Sequence, residues 1–79
     1  MNLAIIKPLE KKEHKIVWLE INTPKGNFII AKGHAPMIIT LTPNTYLTFE
    51  MENGKSVSAI IPRGIAHITR KSVKVILDT

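Results

Sequence analysis

Few side chains in this 79-residue chain are of the types that carry out acid–base or nucleophilic chemistry. The three histidines, His14, His34 and His67, are far apart and lack the paired spacing of a zinc site. The chain has no cysteine, which excludes disulfides and thiolate chemistry, and its six acidic residues form no carboxylate pair suited to general acid–base work. The four glycines stand singly and do not form a phosphate-binding loop. The sequence therefore predicts a protein that is not an enzyme and has no metal or cofactor.

One segment stands out, running from Gly26 to Met37 with the sequence GNFIIAKGHAPM. Gly33 permits a tight turn and Pro36 restricts the preceding residue to extended backbone, so His34 lies at the apex of a rigid corner. Two interpretations of this imidazole remain open. It either bonds to the backbone and holds the corner, or it contacts a partner.

The elements around this corner are predicted to be strands. Thirteen isoleucines, four valines and seven threonines favour strands, and five prolines leave no room for a long helix. Close turn signals and short alternating runs predict one all-β domain over residues 1–79, a small β-sandwich or flattened barrel of about eight short strands.

Alternation predicts which side chains share a face in three of the strands. The inward sets are Val17, Leu19 and Ile21, then Leu47, Phe49 and Met51, then Val73, Val75 and Leu77, and the set that contains Ile16, Trp18 and Glu20 faces the opposite way. Shorter strands are predicted at residues 3–6, 28–31, 37–41, 57–61 and 65–69. The polar residues 9–15 are predicted to hold the longest connection.

The dipeptide Asn53-Gly54 predicts a hairpin with a two-residue type I′ turn. This loop would place Glu52 opposite Lys55 and Leu47 opposite Ile60. It would also place Phe49 opposite a serine, so either a bulge or a core drawn from both faces is needed.

The formal charge of +5 permits an anionic partner, but the lysines are spread along the chain and only two arginines are available for bidentate phosphate contacts. A small basic β-barrel that binds single-stranded nucleic acid is the alternative function. Such a site needs neighbouring aromatic side chains for base stacking, and only Trp18 and Tyr46 face away from the predicted core rows. No apolar run approaches the roughly 20 residues of a membrane span, and the first eight residues lack the features of a signal peptide. Neither nucleic-acid binding nor direct membrane insertion is expected.

The Gly26–Met37 segment resembles the amino-terminal β-sandwich of the epsilon subunit of F-type ATP synthases, which carries a stretch similar to GEFGILPGHAPL. The residues that match in order are Gly26, Phe28, Ile30, Gly33, His34, Ala35, Pro36 and the apolar Met37. Further matches are Leu3–Pro8 with the opening strand, Leu41-Thr42-Pro43 with the next turn, Gly64-Ile65 with the end of a serine-glycine-glycine-phenylalanine motif, and Val73–Asp78 with the closing KVTVLAD. The resemblance covers nearly the whole chain in one register.

The chain also departs from this pattern. The departures are Ile29 for glycine, Lys32 for proline, Asn44 for a turn glycine that asparagine can replace, Pro62-Arg63 for serine-glycine, and a loop between Pro24 and Gly26 about two residues shorter than usual. Typical epsilon subunits continue into an autoinhibitory helical hairpin. The sequence given has none, so we expect a domain that couples without inhibiting.

The resemblance implies a non-catalytic rotor subunit of the central stalk, which docks on the gamma subunit and the c-ring and couples ion translocation to ATP synthesis. By correspondence, His34 and Ile39 would face gamma, joined by Lys7, and Asn27 would lie near the ring. The implied structural corner comprises Gly26, Phe28, Gly33, Ala35 and Pro36. We expect a monomer when the domain is isolated. The implied location is peripheral to the cytoplasmic face of a bacterial inner membrane or the equivalent organellar membrane.

Overall fold

The computed structural model describes all residues, 1–79, and consists of eight strands joined by short turns, with no helix. The strands are β1 (Asn2–Lys7), β2 (Glu10–Thr23), β3 (Gly26–Ala31), β4 (Met37–Leu41), β5 (Thr45–Met51), β6 (Ser56–Ile61), β7 (Gly64–Ile68) and β8 (Ser72–Leu77). The predicted all-β class and number of strands are confirmed. Each of the five shorter strands agrees with its predicted bounds to within two residues. No helix is present that could cross a membrane.

The strands form two sheets that share β2. Sheet A has the order β4-β7-β8-β1-β2, and sheet B has β3-β2-β5-β6. Neighbouring strands are antiparallel except for β1 and β8, which run parallel. Because the first part of β2 pairs with β1 and the second part pairs with β3 and β5, one strand turns the sheet back on itself. The predicted small sandwich is confirmed.

Residues 9–15 do not form the predicted long connection. Only Pro8 and Leu9 form the turn, and β2 begins at Glu10 and runs for 14 residues. Residues 10–15 each pair with a residue of β1. Backbone pairing with β1 therefore decides the structure here, while most of the polar side chains remain exposed to solvent.

The prediction of which side chains of β2 face inward is wrong at the centre of the strand. Ile16 is 1% exposed and Val17 is 46% exposed, the reverse of the predicted alternation. The pairing with β5 shifts register between Ile16 and Trp18, which marks a β-bulge at Val17. The extra residue lets both Ile16 and Leu19 point inward at the place where β2 passes from sheet A to sheet B.

The hairpin between β5 and β6 also differs from the prediction. Glu50 pairs with Ser56, and the Gly54 amide donates to the Met51 carbonyl at 2.9 Å. Gly54 has a φ of 90° whereas Asn53 does not adopt a positive φ, so the loop has three residues and follows a type I turn with a glycine bulge, in place of type I′. The added residue moves the register by one. Phe49 therefore pairs with Val57, and the expected mismatch on the core face disappears.

A single apolar core lies between the two sheets. Its fourteen buried members are Leu3, Ile16, Leu19, Ile21, Ile30, Leu41, Leu47, Phe49, Ile61, Ala66, Ile68, Val73, Val75 and Leu77. The predicted inward rows of β5 and β8 are confirmed, with Met51 partly buried at the end of its row. Shared burial from both sheets makes the sandwich one stiff unit.

The turns gather at two opposite ends of the sandwich. At one end, the Gly33 amide donates to the Arg70 carbonyl at 2.9 Å, and the Glu52 amide donates to the Lys15 carbonyl at 3.2 Å. We call this the His34 end; it holds the Lys15–Ile16 bend and the turns at 32–36, 52–55 and 69–71. The other, which we call the Pro8 end, holds the turns at 8–9, 24–25, 42–44 and 62–63.

Candidate protein-docking surface

The corner predicted from Gly33 and Pro36 is present at the His34 end. The His34 amide donates to the Ala31 carbonyl at 3.1 Å, which closes a four-residue turn. Gly33 occupies its third position with a φ of 88°, a conformation that type II turns require and glycine adopts readily. The bond from Gly33 to Arg70 ties this corner to the turn between β7 and β8. The corner is therefore held on both sides.

The His34 imidazole is half-buried, and its Nδ1 lies 2.8 Å from the Ala35 carbonyl oxygen. Because a carbonyl only accepts, Nδ1 carries the hydrogen of this bond, and Nε2 takes no part in it. The local backbone bond expected from one interpretation is present. It uses one ring nitrogen and leaves the second for a partner, so the two interpretations are compatible.

The three predicted gamma-docking residues do not converge on one spot. Ile39 lies in the middle of β4 and is partly buried against the core, whereas its neighbour Ile38 is 71% exposed on the outer face. Lys7 ends β1 at the Pro8 end, where its ammonium lies 3.9 Å from a Glu10 carboxylate oxygen. Three strand spacings separate β4 from β1, about 14 Å, so Lys7 does not lie beside His34.

The predicted structural corner divides into two parts. Gly26 lies at the Pro8 end, where its φ of 124° serves the turn between β2 and β3, and Phe28 packs against the core from β3. Gly33, Ala35 and Pro36 lie at the His34 end. The six-residue length of β3 separates the two parts.

Asn27, the predicted ring-facing residue, is exposed on the outer face of sheet B near the Pro8 end. Its side-chain amide donates to Glu20 Oε2 at 3.0 Å and to Asn22 Oδ1 at 3.1 Å. This small polar cluster fixes the amide in place. The residues predicted to meet gamma through His34 and the ring through Asn27 therefore lie at opposite ends.

An apolar row on the outer face of sheet A was not predicted. Ile65 pairs directly with Ile76, and the two side chains are 45% and 46% exposed; Ile38 on the neighbouring edge strand is more exposed. Alternation within β7 and β8 could have predicted this row. Ile65 and Ile76 each follow or precede a buried residue, Ala66 or Val75, and therefore lie on the opposite face of their strands. In the run Met37-Ile38-Ile39 every residue is apolar, so alternation could not predict which of them faces outward.

The structure shows no group of three or more His, Cys, Asp or Glu side chains arranged to hold a metal ion. The one histidine with an aromatic neighbour is His14, whose ring centroid lies 5.0 Å from that of Phe49. Every buried side-chain nitrogen and oxygen has a hydrogen-bond partner. The exposed isoleucines on the outer face of sheet A and the exposed charged side chains offer apolar contacts and charge, which are properties of surfaces that bind other proteins.

Comparison with known protein families gives one match, to the β-sandwich domain of the ATP synthase delta/epsilon chain, over residues 1–79. This chain belongs to the ATP synthase delta/epsilon family. The resemblance expected from the Gly26–Met37 segment is thereby confirmed. Comparison with curated protein sequences finds no match.

Solved structures similar to this delta/epsilon β-sandwich include chains of two mitochondrial ATP synthases. A chain in the Euglena gracilis OSCP/F1/c-ring structure in rotational state 1 is 25% identical, with a TM-score of 0.88 over 98% of this chain and 49% of that chain. A chain in the Tetrahymena thermophila central stalk/c-ring structure is 13% identical, with a TM-score of 0.80 over 100% of this chain and 63% of that chain, and shows the fold alone. The sequence given spans about half the length of the Euglena chain.

Proposed function

We propose that this delta/epsilon β-sandwich is a non-catalytic rotor subunit of an F-type ATP synthase. It docks on the gamma subunit and the c-ring and helps to transmit torque between ion translocation and ATP synthesis. The observation that carries the proposal is the placement of His34 and Asn27 at opposite ends of one stiff sandwich. A part that joins two neighbours needs contacts at two ends and a rigid body between them.

The composition of the surface agrees with this role. Transmission of torque requires no reactive group, and the three histidines lie apart on β2, at the corner before β4 and on β7. The complex is membrane-associated, and we place this domain at the matrix or cytoplasmic side of its membrane, bound through proteins alone.

Single-stranded nucleic acid is the less favoured partner. Trp18 and Tyr46 both lie on the outer face of sheet B, as predicted, but Trp18 pairs with Glu50 while Tyr46 pairs with Ile60. Glu50 and Tyr46 lie four positions apart on β5, about 13 Å. The rings of Trp18 and Tyr46 are therefore too far apart to form a stacking platform for successive bases.

The gamma contact is tested by native mass spectrometry and calorimetry of the domain mixed with gamma from the same source. We expect a one-to-one complex, and we expect His34→Glu to weaken it by about tenfold or more because the corner then presents a carboxylate in place of an imidazole. His67→Glu is the matched control, since His67 is exposed on the outer face of β7, where it pairs with Ile38 and lies outside the turn at 32–36, and this variant should bind within about twofold of the parent. Absence of a complex between a folded domain and active gamma would refute the gamma assignment.

The two neighbouring isoleucines of β4 are distinguished in the same assay. Ile39→Ala and Ile38→Ala remove the same atoms from an inward and an outward position. The prediction for Ile39 holds if its variant binds gamma more weakly than the Ile38 variant while both remain folded. If the Ile38 variant binds gamma more weakly than the Ile39 variant, the contact lies on the outer face of sheet A.

The ring contact is tested by site-directed photo-crosslinking from position 27 in the assembled complex. A crosslink to the c subunit is expected from Asn27, whereas a probe at Lys55, at the opposite end of the sandwich, should give none. Crosslinks from Lys55 alone would reverse the proposed orientation.

A further inference from the structure

The positive charges of the sandwich divide into paired and unpaired groups. The cations that lie near a carboxylate are Lys7, Lys11, Lys12 and Arg63, at 3.9, 3.1, 3.8 and 3.5 Å. The cations without such a partner are Lys15, Lys25, Lys32, Lys55, Arg70, Lys71 and Lys74. Five of these seven cations lie on the loops of the His34 end. Lys74 lies on β8, three positions after Lys71, and Lys25 lies at the Pro8 end.

Three of the unpaired lysines surround one concavity at the His34 end. Lys15, Lys32 and Lys71 line it together with Met1, Asn2 and Glu52, and its volume is about 360 Å³. The three lysines come from different parts of the chain, and all are exposed. Backbone bonds from Asn2 to Lys71 at 3.3 Å and from Glu52 to Lys15 at 3.2 Å join four of the contributing segments in two pairs. We call this feature the basic concavity.

The acidic residue in the basic concavity is already engaged. Glu52 Oε2 lies 3.9 Å from the α-amino nitrogen, which also donates to the Ile16 carbonyl at 3.2 Å. Glu50, on the outer face of sheet B, pairs with Ser56 and Trp18 and does not line the concavity. With Glu52 beside the α-amino group, the three lysines give the concavity a net positive charge, which attracts an anion.

We propose that the basic concavity binds an acidic segment of a protein partner. Lysine ammonium groups act as separate point charges, which suits carboxylates that approach one at a time. The outer face of sheet A beside them carries one exposed apolar side chain, Ile38, which pairs with His67, and His67 pairs with Lys74. An exposed apolar side chain next to a charged rim is typical of protein interfaces.

Nucleic acid and a second copy of the chain fit this surface less well. Base stacking needs several aromatic rings, and Trp18, which pairs with Ala31 beside Lys32, is the aromatic residue of sheet B nearest to the concavity. A second copy would bring the same positive charge to the interface, so electrostatic repulsion opposes self-association through this end.

The test is an NMR titration of the isotope-labelled domain with a synthetic glutamate-rich peptide, at low ionic strength of about 50 mM. We expect shift changes centred on the amides of Lys15, Lys32 and Lys71. The variant Lys15→Gln/Lys32→Gln/Lys71→Gln should bind about tenfold more weakly, because each exposed charge contributes roughly a twofold effect. The matched control, Lys11→Gln/Lys12→Gln/Lys25→Gln, loses the same three charges at sites outside the concavity and should bind within about twofold of the parent.

Three results would overturn the proposal. One is absence of peptide binding, and another is equal weakening by the two variants, which would indicate net charge alone. The third is tighter binding, through the same lysines, of an oligonucleotide or of phosphatidylglycerol vesicles than of the peptide. The titration contains no gamma subunit, so its outcome is independent of the central-stalk assignment.

Discussion

Gly64 is the position where a single methyl group should perturb this fold most informatively. It begins β7 and pairs with Leu41 on one side and Leu77 on the other. A Cβ built on Gly64 would lie 2.6 Å from Leu77 Cδ2 and 2.7 Å from the carbonyl oxygen of Ile76. The backbone there is not left-handed, so lack of space, and not φ, requires glycine.

The expected cost of Gly64→Ala follows from these two contacts. Leu77 is 4% exposed and packed in the core, so its rotation meets other side chains, and the carbonyl oxygen belongs to the backbone of β8. Overpacking of this kind costs about 1–3 kcal/mol. Alanine in a strand recovers about 0.5–1 kcal/mol of backbone entropy relative to glycine. Because one of the two clashes is with backbone, the overpacking cost falls in the upper part of its range, about 2–3 kcal/mol. The net loss should therefore be about 1–2.5 kcal/mol, a decrease in Tm of roughly 4–20 °C for a domain of this size.

Urea unfolding followed by circular dichroism and by Trp18 fluorescence measures this loss. Ser56→Ala is the control, because Ser56 is an exposed strand residue whose substitution should change stability by less than about 0.5 kcal/mol. An unchanged or increased unfolding free energy for Gly64→Ala would refute the argument from space. It would mean that β7 and β8 separate easily at this pair.

Three further substitutions test the core and the turns, the first of them with Ile38→Ala as its control. Leu19→Ala should lower the unfolding free energy by about 2–5 kcal/mol because Leu19 is fully buried, while Ile38→Ala should cost less than about 0.5 kcal/mol; similar costs would contradict the assignment of the core. Gly54→Ala should lower the unfolding free energy by about 1–2 kcal/mol because alanine is strained at the positive φ of this position, although no other atom lies within 4 Å of the added methyl. An unchanged unfolding free energy in urea would contradict the glycine bulge. Thr69→Ala removes the hydroxyl that accepts from the Ser72 amide at 3.1 Å; loss of about 1 kcal/mol should accelerate hydrogen exchange of that amide about fivefold, and unchanged exchange would show that the hydroxyl does not hold the turn.

Local chemistry allowed much of the fold to be predicted. Strands β4 and β8 follow from β-branched residues in alternating or apolar runs, and the corner at Gly33 follows from glycine and proline a few residues apart. Asn44, expected to replace a turn glycine, has a φ of 60°. The family was recognisable because a run of residues with special backbone needs keeps its order even where the sequence between them has changed.

The errors share one cause, which is the register of pairing between strands. The bulge at Val17 depends on the pairing of β2 with both β1 and β5. The three-residue hairpin loop depends on the pairing of Phe49 with Val57. Each shift of one residue exchanges the two faces of a strand, so small local differences change which side chains are buried. At Val17 nothing within the local sequence distinguishes the two registers, whereas at the hairpin the expected mismatch of Phe49 with a serine already indicated a bulge as one of two solutions.

By itself, the sequence of this protein determined its strands, its rigid corner, its family and its lack of catalytic motifs, since these depend on residues that are neighbours in the chain. Tertiary structure alone decided that His34 and Asn27 lie at opposite ends and that Ile38, in place of Ile39, is the exposed isoleucine. It also brought Lys15, Lys32 and Lys71 around one concavity. The physical reason is that charge and exposure at a surface depend on which strand ends meet, and strand pairing joins residues tens of positions apart.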